Sequence, residues 1–514
     1  MLKRFALLSV MFVAVLAAFA VSSPRAQAGL FSKGSATPSP SPSPSALPTA
    51  TPEPPDVAIP RLQARLKANP NDQDAMAQLA SQFLGINRPD LAGQLTQHLL
   101  QMGDKNAQVY YLDGFAMNAL GHLDAAINDL ESASTIDPTN VAVLGQLADF
   151  YLKANRFTDA ERIANRGLKL NPDEESSFTT AGSVYAAEQK YDEARAYFEK
   201  AASMAPKDSG PIFQIATTYS EQNNIPAALE SIQRALALNP QDVQALVFKA
   251  DLYAKQHDDA HTAAAYDDAA VAATDDQERA VIMVRKAAYF AAEKKNSQAE
   301  GVFQQAIAQY PKESSIHVAF GDYWMAQKNV TSAVSEYQLA LKVDGGNGDA
   351  LGRMAQLSMH DGKWTDAVGY LKQLIAVAPD PQAYAMLGQA YSFQHDYVNS
   401  KDACTKSFNL QRDPSTLGCI AGADFEMKNY KEAGQIFDVL DANAHGFLDQ
   451  NPQLLYVAAR SYQQLKQNDK AVSAYKRLLP MVKKGTKDYS NVVNTINQLS
   501  KPQPKAKTGK PTQH

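Results

Sequence analysis

The sequence lacks most of the features that mark an enzyme or a metal protein. Only two of its 514 residues are cysteine, Cys404 and Cys419, which excludes a disulfide-dense scaffold and a cysteine-rich zinc fold. Five short motifs of common hydrolases, zinc or redox proteins and nucleotide-binding proteins are absent: HExxH, GxSxG, CxxC, GxxxxGK[ST] and GxGxxG. We therefore predict no catalytic residue, no cofactor, no metal and no small-molecule substrate.

The chain also lacks an excess of positive charge. Its 49 Lys and Arg residues against 54 Asp and Glu residues give a net charge of −5. This balance gives no reason to expect nucleic acid or an anionic membrane surface as the main partner. Apolar residues make up 45% of the chain, which is enough for a folded core.

One short motif, HDDAH, has two interpretations. His257 and His261 are four residues apart and on a helix could share a metal ion with an aspartate. Alternatively, His257 lies in a turn and Asp258 or Asp259 caps the following helix, so that the two rings need not face the same way. The second interpretation is favoured because it agrees with the repeat pattern described below.

The N-terminus has the pattern of an export signal. Lys3 and Arg4 precede an apolar run from residue 5 to residue 21, and the small residues of Ala26-Gln27-Ala28 follow. Residues 1–28 are therefore predicted to be a secretory signal peptide. The alternative is an uncleaved anchor, because 17 apolar residues are at the lower limit of a membrane-spanning helix. In both cases the protein is expected to be exported, periplasmic or secreted, with an N-terminal anchor as its only membrane contact.

Two proline-containing segments flank the central region. Residues 29–60 include SATPSPSPSPSALPTATPEPP, where proline at nearly every second position prevents both helix and sheet. We predict a disordered, polyproline-biased linker there. Residues 500–514, with four lysines and further prolines, are predicted to be a basic disordered tail.

Between these ends the sequence repeats every 34 residues, with register slips near residues 273–277, near Asp380 and at residues 443–452. Three columns of residues make the repeat visible. A column that is always small consists of Ala80, Gly114, Ala148, Gly182, Ala216, Ala250, Ala287, Gly321, Ala355, Gly388, Gly422 and Ala459. A second, almost always alanine, consists of Ala92, Ala126, Ala160, Ala194, Ala228, Thr262, Ala299, Ala333, Ala367, Ser400, Ala433 and Ala471. A third, mostly aromatic, begins with Phe83, Met117, Tyr151, Tyr185, Tyr219 and Tyr253.

Each copy is predicted to be a helical hairpin. In the copy that begins near Ser176, apolar residues recur at helical spacing, a short polar turn follows, and a second helix ends before Pro206. Close packing of the two helices needs small residues, and Gly182 opposite Ala194 meets that need. A single hairpin of this size cannot bury both faces, so neighbouring copies must stack on one another.

These columns resemble the tetratricopeptide repeat (TPR) family, whose 34-residue unit has small, aromatic, Ala and Pro positions at the same offsets. The resemblance implies an all-α fold, a right-handed α-α superhelix of about twelve repeats. The solenoid is predicted to occupy residues 61–485 as one continuous core, and a capping helix residues 486–499.

The resemblance further implies a concave groove lined by the first helix of each repeat, where a protein or peptide partner binds. The alternative for Tyr111, Phe115 and Phe213 is that they pack against neighbouring helices. No Lys-Asn pair stands at the offsets that clamp a carboxylate in some relatives. The groove residues transferred to this sequence are Tyr111, Phe115, Asn118, Asp149, Lys153, Thr179, Ser183, Phe213, Thr217, Glu221, Asp251, Asp322, Met325, Gln389 and Phe393.

The two cysteines lie in neighbouring copies. Cys404 is in the second helix of one repeat and Cys419 in the first helix of the next. These faces meet in a stack, and disulfides persist in exported proteins. A disulfide and two small buried thiols both remain open at this stage.

Together these patterns predict a non-catalytic protein-protein interaction scaffold of the cell envelope. Its partner would be an extended peptide or a helix held in the concave groove. The alternative is a membrane-tethered structural or assembly adaptor, held on its proline-rich stalk, for a secretion or polysaccharide-export machine.

Overall fold

In a computed structural model of the chain, the described residues are 53–444 and 446–501. This part contains 26 α-helices, numbered α1 to α26 in chain order, and the two short 3-10 helices Leu448–Gln450 and Leu479–Met481, with no strand. The predicted all-α class is confirmed. The predicted signal peptide or anchor, linker residues 29–52 and the tail beyond residue 501 lie outside the described residues.

Twenty-four of these helices form twelve hairpins, the predicted number of repeats. The first helices, α2 to α24 in even numbers, are Gln73–Gly85, Ala107–Ala119, Val141–Lys153, Glu175–Ala187, Gly210–Glu221, Val243–Lys255, Asp276–Ala292, Ser314–Ala326, Gly348–His360, Pro381–Phe393, Pro414–Glu426 and Pro452–Gln464. The second helices, α3 to α25 in odd numbers, are Pro89–Gln101, Leu123–Ile136, Phe157–Leu170, Tyr191–Met204, Ile225–Leu238, Asp259–Ala272, Asn296–Gln309, Val330–Val343, Trp364–Val377, Tyr397–Leu410, Tyr430–Asn443 and Asn468–Leu478.

Short polar side chains cap the N-termini of many of the first helices. Asp72 accepts a hydrogen bond from the backbone N–H of Ala75 at 3.0 Å, and Asn106 caps α4 in the same way at 2.9 Å. Asp242 and Asn347 repeat this arrangement at α12 and α18. Such caps satisfy backbone donors that have no partner within the helix, and they fix where each repeat begins.

The turn inside every hairpin contains one residue in the left-handed region. Its φ is, for example, +57° at Asn155, +63° at Gln189 and +71° at Gly362. Glycine adopts this conformation without cost, and asparagine tolerates it better than most residues. The full set recurs with the repeat: Asn87, Gly121, Asn155, Gln189, Asn223, His257, Lys294, Lys328, Gly362, His395, Lys428 and Lys466.

Small residues lie where helices pack most closely. All twelve members of the alanine column, including Thr262 and Ser400, have an exposed fraction of 0%. Gly182 faces Phe198 rather than Ala194, because the nearest atoms to a Cβ placed on it belong to the Phe198 ring, at 2.5 Å. A larger residue at position 182 would therefore collide with the second helix of its own repeat.

Neighbouring repeats share their buried faces. One cluster of buried residues contains Val318 of α16, Tyr337 of α17 and Met354 of α18, so the first helix of a repeat completes the core of the repeat before it. This is the stacking that the sequence predicted from the incomplete core of a single hairpin.

The first helix, α1 (Pro55–Ala68), corrects the predicted linker boundary at residue 60. Pro55 occupies the first position of this helix, where its missing N–H costs nothing. Ala58 and Leu62 are each only 1% exposed and pack in the same apolar cluster as α2. This burial stabilises a helix despite Pro60 within it. At the other end, α26 (Lys487–Leu499) has Thr486 as its N-cap, over the range predicted for a last helix.

The helices divide into two compact units, and the predicted continuous core over residues 61–485 stays a prediction. The boundary falls between Ile282 and Met283, within α14 (Asp276–Ala292). This helix is longer than the other first helices and follows the register slip at residues 273–277. Among residues 53–444 and 446–501, no helix combines the length and the apolar character that a membrane span requires.

Candidate partner-binding surface

All fifteen predicted groove residues lie on first helices, as the repeat register implied. Those on α4, α6, α8, α10 and α12 belong to the unit before residue 283, which we call the first unit. Those on α16 and α20 belong to the unit after it, the second unit. First helices of successive repeats contact each other, for example α6 with α8 in the first unit and α22 with α24 in the second. We call the side of these helices that carries the fifteen residues the first-helix face.

Aromatic rings of α4 and α6 form one group on this side of the first helices. The half-buried rings of Tyr111 and Phe115 are 4.8 Å apart, and Phe115 lies 6.0 Å from the buried ring of Phe150. The ammonium of Lys153 is 5.1 Å from the centre of the Phe150 ring, within range of a cation-π interaction. Burial raises the pKa of the Tyr111 hydroxyl, so this hydroxyl stays neutral.

Phe213 does not belong to the accessible face, which corrects the prediction for this residue. Only 8% of it is exposed, and its ring lies 5.3 Å from that of Phe248 on the next first helix, α12. It is part of a buried cluster with Ile225 and Leu252. The alternative stated for Phe213, packing against neighbouring helices, is the one that the structure has.

Several polar residues of the face make hydrogen bonds within their own helix. Asp149 pairs with Lys153 at 2.8 Å, one helical turn away. The hydroxyl of Thr179 bonds to Glu175, and that of Thr217 donates to the carbonyl of Gln214 at 2.7 Å. Glu221 is exposed, whereas Asn118, Ser183, Met325 and Gln389 are half-buried.

Two predicted acidic residues are part of the packing between helices. Asp251 accepts a hydrogen bond from the hydroxyl of Tyr266 at 2.6 Å. Asp322 accepts from Tyr337 at 2.6 Å and pairs with both Nε and Nη2 of Arg353, at 2.9 and 3.0 Å. Arg353 was not predicted; it lies on α18, the next first helix, and neutralises the acid that the sequence assigned to the groove.

Phe393, at the end of α20, stacks on Trp364 of the preceding repeat. The ring centroids are 4.0 Å apart and the planes are inclined by 6°. Both residues are half-buried, so this pair presents a flat aromatic edge. Trp364 begins a second helix, and its part in this edge was not predicted.

Cys404 and Cys419 are joined by a disulfide, with their Cα atoms 6.2 Å apart. The bond connects α21 to α22 across a repeat boundary. Cys404 is fully buried, because it occupies the second-helix position that Phe198 holds in an earlier repeat.

The HDDAH segment has the arrangement that the repeat register favoured. His257 lies in the turn with φ +57°, and Asp258 caps α13 by accepting from the N–H of His261. The His261 ring bonds to Asp258 at 2.7 Å and stacks on Tyr253. Within residues 53–444 and 446–501, no group of three His, Cys, Asp or Glu side chains is arranged to hold a metal ion.

Comparison with known families identifies the repeats. Sequence models of the tetratricopeptide repeat match residues 118–178, 185–252 and 325–390, residues 286–350, and residues 452–479. Together these matches cover about half of the chain. The protein belongs to the tetratricopeptide repeat family, whose members are in general protein-interaction scaffolds.

Individual relatives share only part of their length with this chain. The tetratricopeptide repeat protein 21 homolog of Caenorhabditis elegans is 36% identical over 97 residues, which cover 18% of this chain and 7% of that protein. The human protein O-mannosyl-transferase TMTC1 is 23% identical over 175 residues, covering 33% of this chain and 20% of that protein. The chain thus spans no more than a fifth of either relative.

Two solved structures resemble the fold. Pseudomonas aeruginosa pilF has 19% identity and a TM-score of 0.34, covering 43% of this chain and 98% of that one. The Cut9–Hcn1 hetero-tetramer of the APC/C has 14% identity and a TM-score of 0.29, covering 86% and 92%. With TM-scores below 0.5, neither likeness bears on function.

Proposed function

We propose that the protein is a non-catalytic protein-protein interaction scaffold of the cell envelope. An extended peptide or a helix of its partner binds along the first-helix face, within the concave groove expected of the family. The observation that carries the proposal is the half-buried Tyr111–Phe115 ring pair, which the Phe150 ring connects to Lys153 of the Asp149–Lys153 ion pair.

Such a combination suits recognition of a polypeptide. Half-exposed aromatic rings supply the large apolar contact area that dominates protein interfaces, and charged neighbours at their rim fix the register of the partner. Lys153 lies between the aromatic rings and the charged rim, since its ammonium contacts both Asp149 and the Phe150 ring. The partner would cover Tyr111 and Phe115 and approach Lys153 and Glu221 from solvent.

Two observations support an exported location. The N-terminal sequence has a charged, then apolar, then small-residue pattern typical of export. Cys404 and Cys419 form a disulfide, and such bonds persist mainly in oxidising compartments such as the bacterial periplasm.

We assign no catalytic role, and two acids of the first-helix face, Asp251 and Asp322, serve packing between helices. Asp251 and Asp322 bind tyrosine hydroxyls of second helices, and Asp322 is also neutralised by Arg353. Groups held in this way stabilise the repeats and have no free geometry for proton transfer.

Photo-crosslinking in the native host tests this function. A photoreactive amino acid at Lys153 and, separately, at Glu221 samples the exposed part of the first-helix face, while Lys169, an exposed residue of the second helix α7, is the matched control. We expect one dominant adduct at Lys153 and Glu221, with neighbouring parts of a single partner segment attached at the two positions, and no such adduct at Lys169.

Comparing crosslinking at Lys169 with crosslinking at Lys153 and Glu221 distinguishes the second-helix surface from the first-helix face. The same partner captured at Lys169 and absent from Lys153 and Glu221 would refute binding on the first-helix face. Equal capture at all three positions would also contradict the proposal, because it would indicate contact without a preferred face. Circular dichroism of each variant checks that the repeats remain folded.

A further inference from the structure

Positive charge is concentrated in residues 451–501, near the C-terminal end of the sequence. Residues 451–501 contain nine Lys and Arg residues against two Asp residues, a net charge of +7 in a chain whose total is −5. Such segregation of charge on one part of a protein indicates a surface for a partner of opposite sign. The basic residues are Arg460, Lys466, Lys470, Lys476, Arg477, Lys483, Lys484, Lys487 and Lys501.

Part of this charge lines a cleft. One side of α25, the turn before it and the end of α26 border an open cleft with a volume of about 930 Å³. Four lysines face it, Asp469 is its one acid, and Leu499 and Val472 contribute the apolar part. We call this the lysine cleft; its basic residues are Lys466, Lys470, Lys476 and Lys501.

Most of these ammonium groups are not neutralised by the protein. Lys470 pairs with Asp438 at 2.8 Å. Lys466, Lys476 and Lys501 are exposed, and none of them has an ion pair among the residues that the structure describes. Three unpaired cations around one cavity repel each other, and an anionic ligand would relieve this repulsion.

The lining favours a carboxylate-rich peptide over other anions. A concave cleft cannot be filled by the flat surface of a bilayer. Aromatic side chains and arginine, on which nucleic acid bases stack, are missing from the residues that line it. Lysine ammonium groups with the amides of Gln467 and Asn468 instead offer separated donors along a channel, which suits acidic side chains spaced along a chain. The residues after Lys501 include three more lysines and no Asp or Glu, so they add to the positive charge of this part of the sequence.

We infer that the lysine cleft is a second binding site, independent of the first-helix face, for an acidic peptide segment of a partner protein. Carboxylates of that segment pair with Lys466, Lys476 and Lys501, while Leu499 and Val472 contact its aliphatic parts. The site would let the terminal repeat hold a partner whose main contact lies elsewhere on the scaffold.

Fluorescence anisotropy of the full chain with a labelled peptide of alternating Glu and Ser tests this site. The cleft triple variant is Lys466→Gln, Lys476→Gln and Lys501→Gln. Glutamine is compatible with the left-handed turn at position 466 (φ +59°), since Gln189 holds the same turn position with φ +63°. We expect the peptide to bind in a salt-dependent way and the triple variant to bind it about tenfold more weakly.

A second triple variant separates the cleft from general charge. Lys483→Gln, Lys484→Gln and Lys487→Gln remove the same charge from exposed residues of the same segment outside the cleft, and we expect a change of less than about twofold. Equal weakening by both triples, or no binding of the peptide, would overturn the cleft as a site. Tighter binding of phosphatidylglycerol vesicles or a thymidine oligonucleotide, lost in the cleft triple, would overturn the peptide as its ligand, as would self-association lost in that variant.

Discussion

The hydroxyl of Tyr337 donates a 2.6 Å hydrogen bond to Oδ1 of Asp322, which also accepts from Nε of Arg353 at 2.9 Å. The three residues lie on α17, α16 and α18, so one carboxylate connects both helices of a repeat to the next first helix. Burial and the charge of Asp322 raise the pKa of the Tyr337 hydroxyl, which therefore remains a donor. A residue type expected in a binding groove is here a link between repeats.

Asp322→Ala should loosen this link. It leaves the fully buried Tyr337 hydroxyl without an acceptor and the guanidinium of Arg353 without its carboxylate, a loss of about 1–3 kcal/mol. Hydrogen exchange should therefore accelerate in α16 to α18. Asp366→Ala, at an exposed residue of α19, is the control, and equal exchange in the two variants would show that Asp322 does not connect the helices.

Gly182 and Gly422 occupy the same column of the repeat, but replacing each with alanine should change stability in opposite directions. A Cβ at position 182 would lie 2.5 Å from the Phe198 ring, whereas a Cβ at position 422 meets no atom within 4 Å. We expect Gly182→Ala to destabilise its repeat by about 1–3 kcal/mol. Gly422→Ala should stabilise its helix by up to about 1 kcal/mol. Thermal unfolding and local hydrogen exchange measure both; destabilisation by both substitutions would contradict the packing described.

The carboxyl groups of Asp113 and Asp129 form a pH-dependent pair. Asp113 is fully buried and accepts from Thr96 and Gln97, each at 2.6 Å. Burial, with the charge of Asp113 and a hydrogen bond to it, raises the pKa of Asp129 to about 7. The unfolded chain ionises this group near pH 4, so its contribution to stability is full below pH 4 and is lost as the pH rises to about 7.

Asp129→Asn should therefore stabilise the protein at high pH and have little effect at low pH. The amide can donate to Asp113 at every pH, and after allowance for solvent screening we expect a gain of about 1–2 kcal/mol at pH 8. Denaturant unfolding at pH 4.5 and pH 8 measures the difference. Asp124→Asn, at an exposed residue of the same helix, is the control. A gain that does not depend on pH would contradict the raised pKa of Asp129.

The disulfide between Cys404 and Cys419 should stabilise the repeats that it joins. It closes a loop of 15 residues, for which the loss of entropy in the unfolded chain corresponds to about 3 kcal/mol. The double variant Cys404→Ala, Cys419→Ala should melt at a lower temperature than the oxidised protein, and a reductant should lower the melting temperature of the natural sequence alone. Two free thiols in protein taken from its native host would show that the bond does not form there.

The sequence predicted the repeats well because each position in a TPR hairpin faces the same surroundings in every copy. The alanine column shows this most clearly, with Ala194 and Ala333 both fully buried. The left-handed turn position was not predicted, although it recurs in all twelve hairpins of the described residues. Its occupants are glycine or polar residues such as Asn155, Lys328 and His395, but no single residue type marks the position in every repeat.

The binding surface was harder to predict because burial depends on the neighbouring repeat. Spacing places Phe213 on the same helix face as Thr217, but the ring of Phe248, one repeat further on, covers it. The sequence likewise gives no sign that the carboxylate of Asp322 is paired, because its partner Arg353 lies on the next first helix. Helix α1 was missed for a related reason: the prolines suggested a linker, and only the contact of Leu62 with α2 reveals why a helix forms there.

Binding of the crosslinked partner segment to charge-reversed variants tests the central claim most directly. Once the segment is identified, its affinity is measured by calorimetry for Lys153→Glu on the first-helix face and for Lys169→Glu on the second helix of the same repeat. We expect Lys153→Glu to weaken binding by about tenfold or more and Lys169→Glu to leave it within about twofold. Equal affinities for the two variants, both folded, would contradict the assignment of the first-helix face as the binding surface.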